Sequence, residues 1–106
     1  MAKRKKDKGL AQVKIEGRTY GIRGTVHAVE RMVERNIDEE TVTGNILLLG
    51  KEKIKELQEK EQEAIIIDKD KEVAIVIAFK KNKIMVVTVI DKGNVWVKEG
   101  THIENI

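Results

Sequence analysis

The sequence predicts an α+β fold in which an N-terminal hairpin and two helices pack on a twisted antiparallel four-stranded sheet. Three observations lead to this prediction. Two short alternating segments flank Glu16–Gly17, two apolar patterns of helical period cover residues 25–50, and β-branched runs follow from Ala64 onward. The chain has 106 residues, which suits a single core.

Basic residues are concentrated at the N-terminus. The segment MAKRKKDKG holds five of the 21 basic residues and one of the 18 acidic residues, which leaves 16 basic and 17 acidic residues elsewhere. Residues 1–9 are therefore expected to form a disordered basic tail, and residues 10–106 a single α+β domain. The tail either adds salt-sensitive phosphate contacts or serves only solubility. A nucleic-acid site on the domain itself would have to be local.

The first helix is predicted from about Val26 to Arg35, with Thr25 as its N-cap. Helical spacing directs one set of residues to the core, namely Val26, Val29, Met32 and Val33, and sets His27, Glu30, Arg31, Glu34 and Arg35 on the opposite side. Asp38 is expected to cap a second helix that ends at Gly50. Residues 51–62 have a composition that favours helix but a thin apolar face, so an exposed helix and an extended loop are both open.

Beyond Ala64 the apolar pattern is that of strands. The predicted strands are AIIID, EVAIVIAF, KIMVVTVID and NVWVKEG, with charged turns at Asp68–Lys71, Lys80–Lys83 and Asp91–Asn94. Short turns between successive β-branched runs indicate an antiparallel meander. The second and third strands are apolar on both faces, so they are expected to be central and covered by the two helices.

Several function classes are disfavoured by composition. The sequence has no cysteine and only two histidines, which argues against disulfides, thiolate zinc sites and multi-histidine metal centres, so no metal or cofactor is expected. No apolar run approaches the ~18 residues that span a bilayer, and no apolar segment follows the basic cluster as in a secretory signal. These features predict a cytoplasmic protein without a membrane partner.

The segment VHAVERMVERNIDEETV resembles the opening signature of a family of small, mostly uncharacterised bacterial and phage domains. That signature is His, three residues, Arg, three residues, Arg, a short loop, an aliphatic residue and an acidic helix start. It is met here by His27, Arg31, Arg35, Ile37 and Glu39–Glu40, and the later strands match the layout over about residues 20–95. Such domains are distantly similar to the RelE, ParE and BrnT toxins, many of which are metal-independent ribonucleases, whereas ParE acts on a protein.

His27, Arg31 and Arg35 are the leading candidate catalytic residues, because spacing of four residues places them in one slanted stripe on a helix. Metal-free RNA cleavage needs a proton acceptor, a proton donor and cations at the phosphate. Histidine titrates near neutral pH, and arginine binds phosphate through paired hydrogen bonds. The alternative is an ordinary solvent-exposed helix face, on which Glu30 and Glu34 neutralise the arginines.

The remaining candidates are weaker. Thr88 places a hydroxyl in a central strand, where similar toxins use a sheet hydroxyl at the phosphate, although a local bond is the alternative. One turn carries three lysines, Lys80, Lys81 and Lys83. They either bind a nucleic-acid backbone or only keep the turn solvated. His102 would supply a second acid or base only if the C-terminus folds back. Tyr20 and Trp96 are expected to be packing residues.

Two hypotheses follow. In the first, the protein is a RelE/BrnT-like ribonuclease toxin that cleaves RNA by acid–base catalysis and has an antitoxin partner. In the second, it is a non-catalytic regulatory module, encoded by a phage or plasmid, that binds a host protein or nucleic acid. The near-neutral domain and the scarcity of aromatic residues favour the second.

Overall fold

The computed structural model describes residues 7–81, 83–91 and 100–105. Within these ranges the chain forms an α+β domain of six strands and three helices. In chain order the elements are β1 (Lys8–Ile15), β2 (Arg18–Gly24), α1 (Val26–Glu34), α2 (Glu39–Leu47), α3 (Lys51–Glu59), β3 (Glu63–Asp68), β4 (Val73–Lys80), β5 (Lys83–Asp91) and β6 (His102–Asn105).

The six strands form one mixed sheet in the order β1-β2-β5-β4-β3-β6. The prediction of a four-stranded antiparallel sheet with two helices is therefore wrong, although the α+β class holds. Two parallel pairings, β2 with β5 and β3 with β6, account for the larger sheet. Each pairing joins strands that are distant in sequence, so no local turn pattern in the sequence predicts it.

The N-terminal hairpin forms as predicted and is the part of the sheet farthest from β6. Glu16 and Gly17 both have positive φ, 50° and 80°, which is the signature of the tight turn that matches strand twist. Ile15 pairs with Arg18 across this turn. Most of the basic tail predicted for residues 1–9 lies outside the described residues.

The helix starts follow local capping chemistry. The Thr25 hydroxyl accepts a hydrogen bond from the Ala28 N–H at 3.0 Å, and the Asp38 carboxylate accepts one from the Thr41 N–H at 2.8 Å. Both caps are those that the sequence predicted. Residues 51–62, which were open between helix and loop, contain α3, and this helix is preceded by Gly50 with φ 88°.

All three helices contribute to one core on one face of the sheet. The helix residues of this core are Ala28, Met32, Val42, Ile46, Ile54 and Leu57. They meet Ile75, Ile77 and Phe79 of β4 and Ile84, Val86 and Val89 of β5, so β4 and β5 are central, as predicted. The alternate residues Ala74, Val76 and Ala78 lie on the other face of the sheet.

A buried hydrogen bond fixes α2 to the sheet. The Asn45 side-chain amide donates to the Asp68 carboxylate at the end of β3 at 2.9 Å, and the other oxygen of Asp68 accepts from the Lys71 N–H at 3.1 Å. Over the described residues, none of the helices has the length and apolar character needed to cross a membrane. The predicted strand NVWVKEG lies outside the described residues except for Gly100.

Candidate functional site

The predicted stripe on α1 lies on the flank of the helix rather than opposite the core. His27 is exposed, the Arg31 side chain retains 41% of its accessible surface, and the Arg35 side chain retains 26%. The stripe thus descends toward the sheet along the helix. Val33, which was predicted to face the core, is 76% exposed, and that prediction is wrong. Because Ala28 and Met32 are the buried residues, the seventh position after Ala28, Arg35, also turns inward.

Both arginines of the stripe are ion-paired. The Arg35 guanidinium binds the carboxylate of Asp91 at the end of β5, and the Arg31 guanidinium lies 3.2 Å from Glu34 on the same helix. Thr25 fixes the other end of α1, since its N–H and hydroxyl donate to the carbonyls of Val86 and Val87 at 3.0 and 2.7 Å. The helix is therefore tied to β5 at both ends, and Arg35 has a structural role in that attachment.

Thr88 lies on the sheet face that points away from the helices. Simple alternation from Ile84 and Val86 would have placed it under α1, but the β5 register shifts between Val86 and Thr88. This bulge pairs Thr88 with Val76, whose side chain points away from the helical core. The Thr88 hydroxyl is buried and has no hydrogen-bond partner among the described residues. The structure does not bring Thr88 together with the α1 stripe.

The lysines and the second histidine are also remote from Arg35. Lys80, Lys81 and Lys83 are exposed at the turn where β5 begins, whereas Arg35 meets β5 where it ends. At ~3.3 Å per residue the strand separates these ends by about 25 Å. His102 lies on β6 with its Nε2 2.9 Å from Glu104, and β3 and β4 lie between β6 and β5.

A cavity that the sequence does not predict lies at the other end of the core. It has a volume of about 450 Å³ and lies between the β1–β2 hairpin, α3 and the β4–β5 turn. Its lining residues are Ile15, Glu16, Arg18, Tyr20, Lys55, Gln58, Glu59, Glu61 and Lys81. Tyr20 is 4% exposed, which confirms it as a packing residue, whereas Trp96 lies outside the described residues.

Gln58 is the unusual residue of this cavity. The residue is 7% exposed, and neither its amide oxygen nor its amide nitrogen has a hydrogen-bond partner within the described chain. A sequence signal existed, because Gln58 follows Ile54 and Leu57 at helical spacing and so occupies a core position. The sequence left the type of residues 51–62 open, and without an assigned helix this position had no predicted face.

One ion pair organises the rim of the cavity. The Lys55 ammonium lies 2.9 Å from the Glu16 carboxylate and links α3 to the hairpin turn. This hydrogen bond holds the pKa of Glu16 below its usual value and raises the pKa of Lys55. Both groups are therefore charged at neutral pH, and each neutralises the other.

Within the described ranges no group of three or more His, Asp or Glu residues is arranged to hold a metal ion. Comparisons with protein-family models, curated proteins and solved structures find no match. The fold and the two sites thus define a small α+β domain with a polar helix flank and a separate polar cavity.

Proposed function

We propose that this chain is a non-catalytic binding module that engages a partner protein through the exposed side of α1. The observation that carries the proposal is the separation of Thr88 from the stripe of His27, Arg31 and Arg35 on α1. Thr88 lies on the far face of the sheet, and Arg31 and Arg35 are each bound to a carboxylate. A ribonuclease needs a base, an acid and a cation within hydrogen-bond reach of one phosphate.

Charge and exposure support a protein partner rather than nucleic acid. Outside the first nine residues, 16 basic residues face 17 acidic ones, so the domain has no overall positive field to attract phosphates. Two large apolar side chains are strongly exposed, Val33 on α1 at 76% and Leu48 at the C-terminal end of α2 at 65%. We take Val33, which has the charged residues Glu30 and Glu34 near it on α1, as the centre of the proposed contact.

A photo-cross-linking amino acid at position 33 of the full chain tests the proposal. We expect one discrete protein adduct from a host lysate, and none when the same amino acid replaces Lys69, which is exposed in the β3–β4 turn. Excess unlabelled wild-type chain suppresses the adduct, as does a Lys69→Asp competitor, whereas Val33→Asp does not. Equal adducts at both positions, or an adduct that Val33→Asp suppresses equally well, would refute the assignment of this surface.

A ribonuclease toxin of the RelE/BrnT type is the second candidate. The observation that favours it is the accessibility of His27 and Arg31 on one flank of α1, together with the resemblance of their spacing to that family's signature. RNA would be the substrate and an antitoxin the partner, with His27 as acid or base and Arg31 and Arg35 at the phosphate. Growth arrest on overexpression that His27→Ala abolishes would support this candidate over the first.

We propose a cytoplasmic location as part of the same function. A sequence without cysteine suits a reducing compartment. We therefore assign the binding function to the cytoplasm, and fractionation of cells that express the tagged full chain tests that assignment.

A further inference from the structure

We propose that β1 binds an acidic, extended segment of a partner protein, which adds to the sheet as a further strand beside it. β1 is one edge of the six-stranded sheet, and among the described residues it pairs only with β2. The inference goes beyond the proposed function, because the contact proposed there is centred on Val33 of α1, whereas β1 is a separate element.

The register of the hairpin determines which backbone groups of β1 face away from the sheet. The two-residue turn is closed by the pair Ile15–Arg18, and hydrogen-bonded pairs then alternate with pairs that exchange no hydrogen bond. Gln12 and Lys14 belong to pairs of the second kind, so their N–H and C=O groups point away from β2. Both residues are exposed, so an incoming chain can reach these groups.

This edge is long and regular enough to pair with another strand. β1 has eight residues, whereas β6 at the opposite edge has four. The register shifts between Gly9 and Ala11, which leaves a regular edge over residues 11–15. Extended peptides bind such edges through main-chain hydrogen bonds, and alternate side chains of the peptide then lie on the two faces of the sheet.

The side chains of β1 favour a peptide with one apolar row and one acidic row. On the helix side, Leu10 and Val13 are half-buried against the core, so apolar peptide side chains there would remove more of their surface from water. On the other side, Lys14 is exposed and forms no ion pair within the described residues. An acidic peptide side chain beside Lys14 would pair with it across the strands.

The surrounding charges leave this edge positive. Three acidic side chains around β1 are each bound to a cation at N–O distances of 3.2, 2.9 and 2.5 Å, in the pairs Asp7–Arg23, Glu16–Lys55 and Glu39–Lys8. The sequence directly before β1 contains four further basic residues, Lys3, Arg4, Lys5 and Lys6. The charge balance therefore favours an acidic segment. It disfavours a second copy of β1, which would bring Lys14 of both chains to one edge.

Amide hydrogen exchange of the full chain tests the proposal, with a short peptide that alternates valine and glutamate as the probe. We expect the Gln12 and Lys14 amides to exchange freely in the chain alone and to be protected with the peptide. The Val13 amide, which is paired with Tyr20, should be protected throughout. A peptide with lysine in place of glutamate should bind more weakly, by about threefold or more. Methylation of one set of alternate peptide nitrogens should abolish the protection, and methylation of the other set should not.

Variants of Gln12 separate the backbone contact from the side chain. Gln12→Pro removes an N–H that points away from β2, a change that edge strands tolerate, and should weaken peptide binding by about five- to tenfold. Gln12→Ala keeps that N–H and should bind as the wild type does. If Gln12→Pro does not fold, the two methylated peptides test the same contact on the wild-type chain.

Two further variants test the charge and the independence of the proposals. Lys14→Glu should reverse the preference between the glutamate and lysine peptides. Val33→Asp should bind the glutamate peptide normally, and Gln12→Pro should keep the cross-linked adduct at position 33. The two proposals therefore fail independently.

Other results would overturn the inference. Protection of Gln12 and Lys14 in the chain alone would mean that the edge is already covered, and a dimer that Gln12→Pro dissociates would assign it to a second copy. Equal binding of both methylated peptides would mean that charge alone holds the peptide. Tighter binding of a short RNA, with unchanged exchange at Gln12 and Lys14, would reassign the positive edge to nucleic acid. No protection at millimolar peptide would mean that this edge accepts no strand.

Discussion

Replacement of Gln58 by leucine should stabilise the protein. Gln58 is 7% exposed and neither of its amide atoms has a hydrogen-bond partner within the described chain. An unpartnered buried amide costs ~1–3 kcal/mol in protein mutational data. Leucine has a similar volume and no polar group, so Gln58→Leu is expected to raise the free energy of unfolding by about 1–3 kcal/mol. For a domain of this size the gain corresponds to a Tm increase of about 5–15 °C.

Urea denaturation followed by circular dichroism measures the change, with Gln62→Leu as the matched control. The Gln62 amide donates to the Gly100 carbonyl, so its loss should lower the free energy of unfolding, by about 0.5–1.5 kcal/mol. A Gln58→Leu variant that is less stable than wild type by 1 kcal/mol or more would refute the reasoning, because it would mean that the amide is satisfied in the native state.

Three further changes test the fold. Asn45→Ala removes the buried donor to the Asp68 carboxylate and should lower the free energy of unfolding in urea by about 1.5–3 kcal/mol, and a loss below about 0.5 kcal/mol would contradict the importance of this bond. Phe79→Ala truncates a fully buried core residue and should lower the free energy of unfolding by about 3–5 kcal/mol in the same assay. A small decrease would mean that the core repacks to fill the space left by the phenyl ring. Asp38→Ala should lower the Tm at neutral pH, since the hydrogen bond from Thr41 holds the pKa of Asp38 below its usual 3.8. This stabilisation is present above pH 3.8 and is lost as pH falls through the lowered pKa, so the Tm difference from wild type should shrink toward pH 2, and a difference that persists there would contradict the cap assignment.

Local chemistry was predictable from the sequence. Thr25 and Asp38 cap the two predicted helices, and Glu16–Gly17 forms the predicted hairpin turn. Each of these features depends on groups within a few residues of one another, so the local sequence is enough to predict it.

Long-range pairing was not predictable. The pairing of β2 with β5 depends on tertiary contacts between segments that are distant in sequence. It joins the hairpin, which was predicted as a separate unit, to a six-stranded sheet. The predicted orientation of α1 was wrong because the helix buries Ala28 and Met32 and exposes Val33, which turns Arg35 inward to Asp91, a residue 56 positions away.

The candidate site was predictable only in part. The helical spacing of His27, Arg31 and Arg35 is real, but one bulge in β5 moved Thr88 to the other face, and a bulge has no clear signature in a β-branched run. The cavity was missed because a glutamine at a core position is meaningful only once α3 is known to be a helix.

Incubation of RNA with the purified full chain in EDTA tests the central claim most directly. With Thr88 on the other face of the sheet from the α1 stripe and both arginines ion-paired, we expect the RNA to stay intact over many hours at equimolar protein, for wild type and His27→Ala alike. Cleavage by the wild type that His27→Ala abolishes would contradict the account and establish α1 as a catalytic surface.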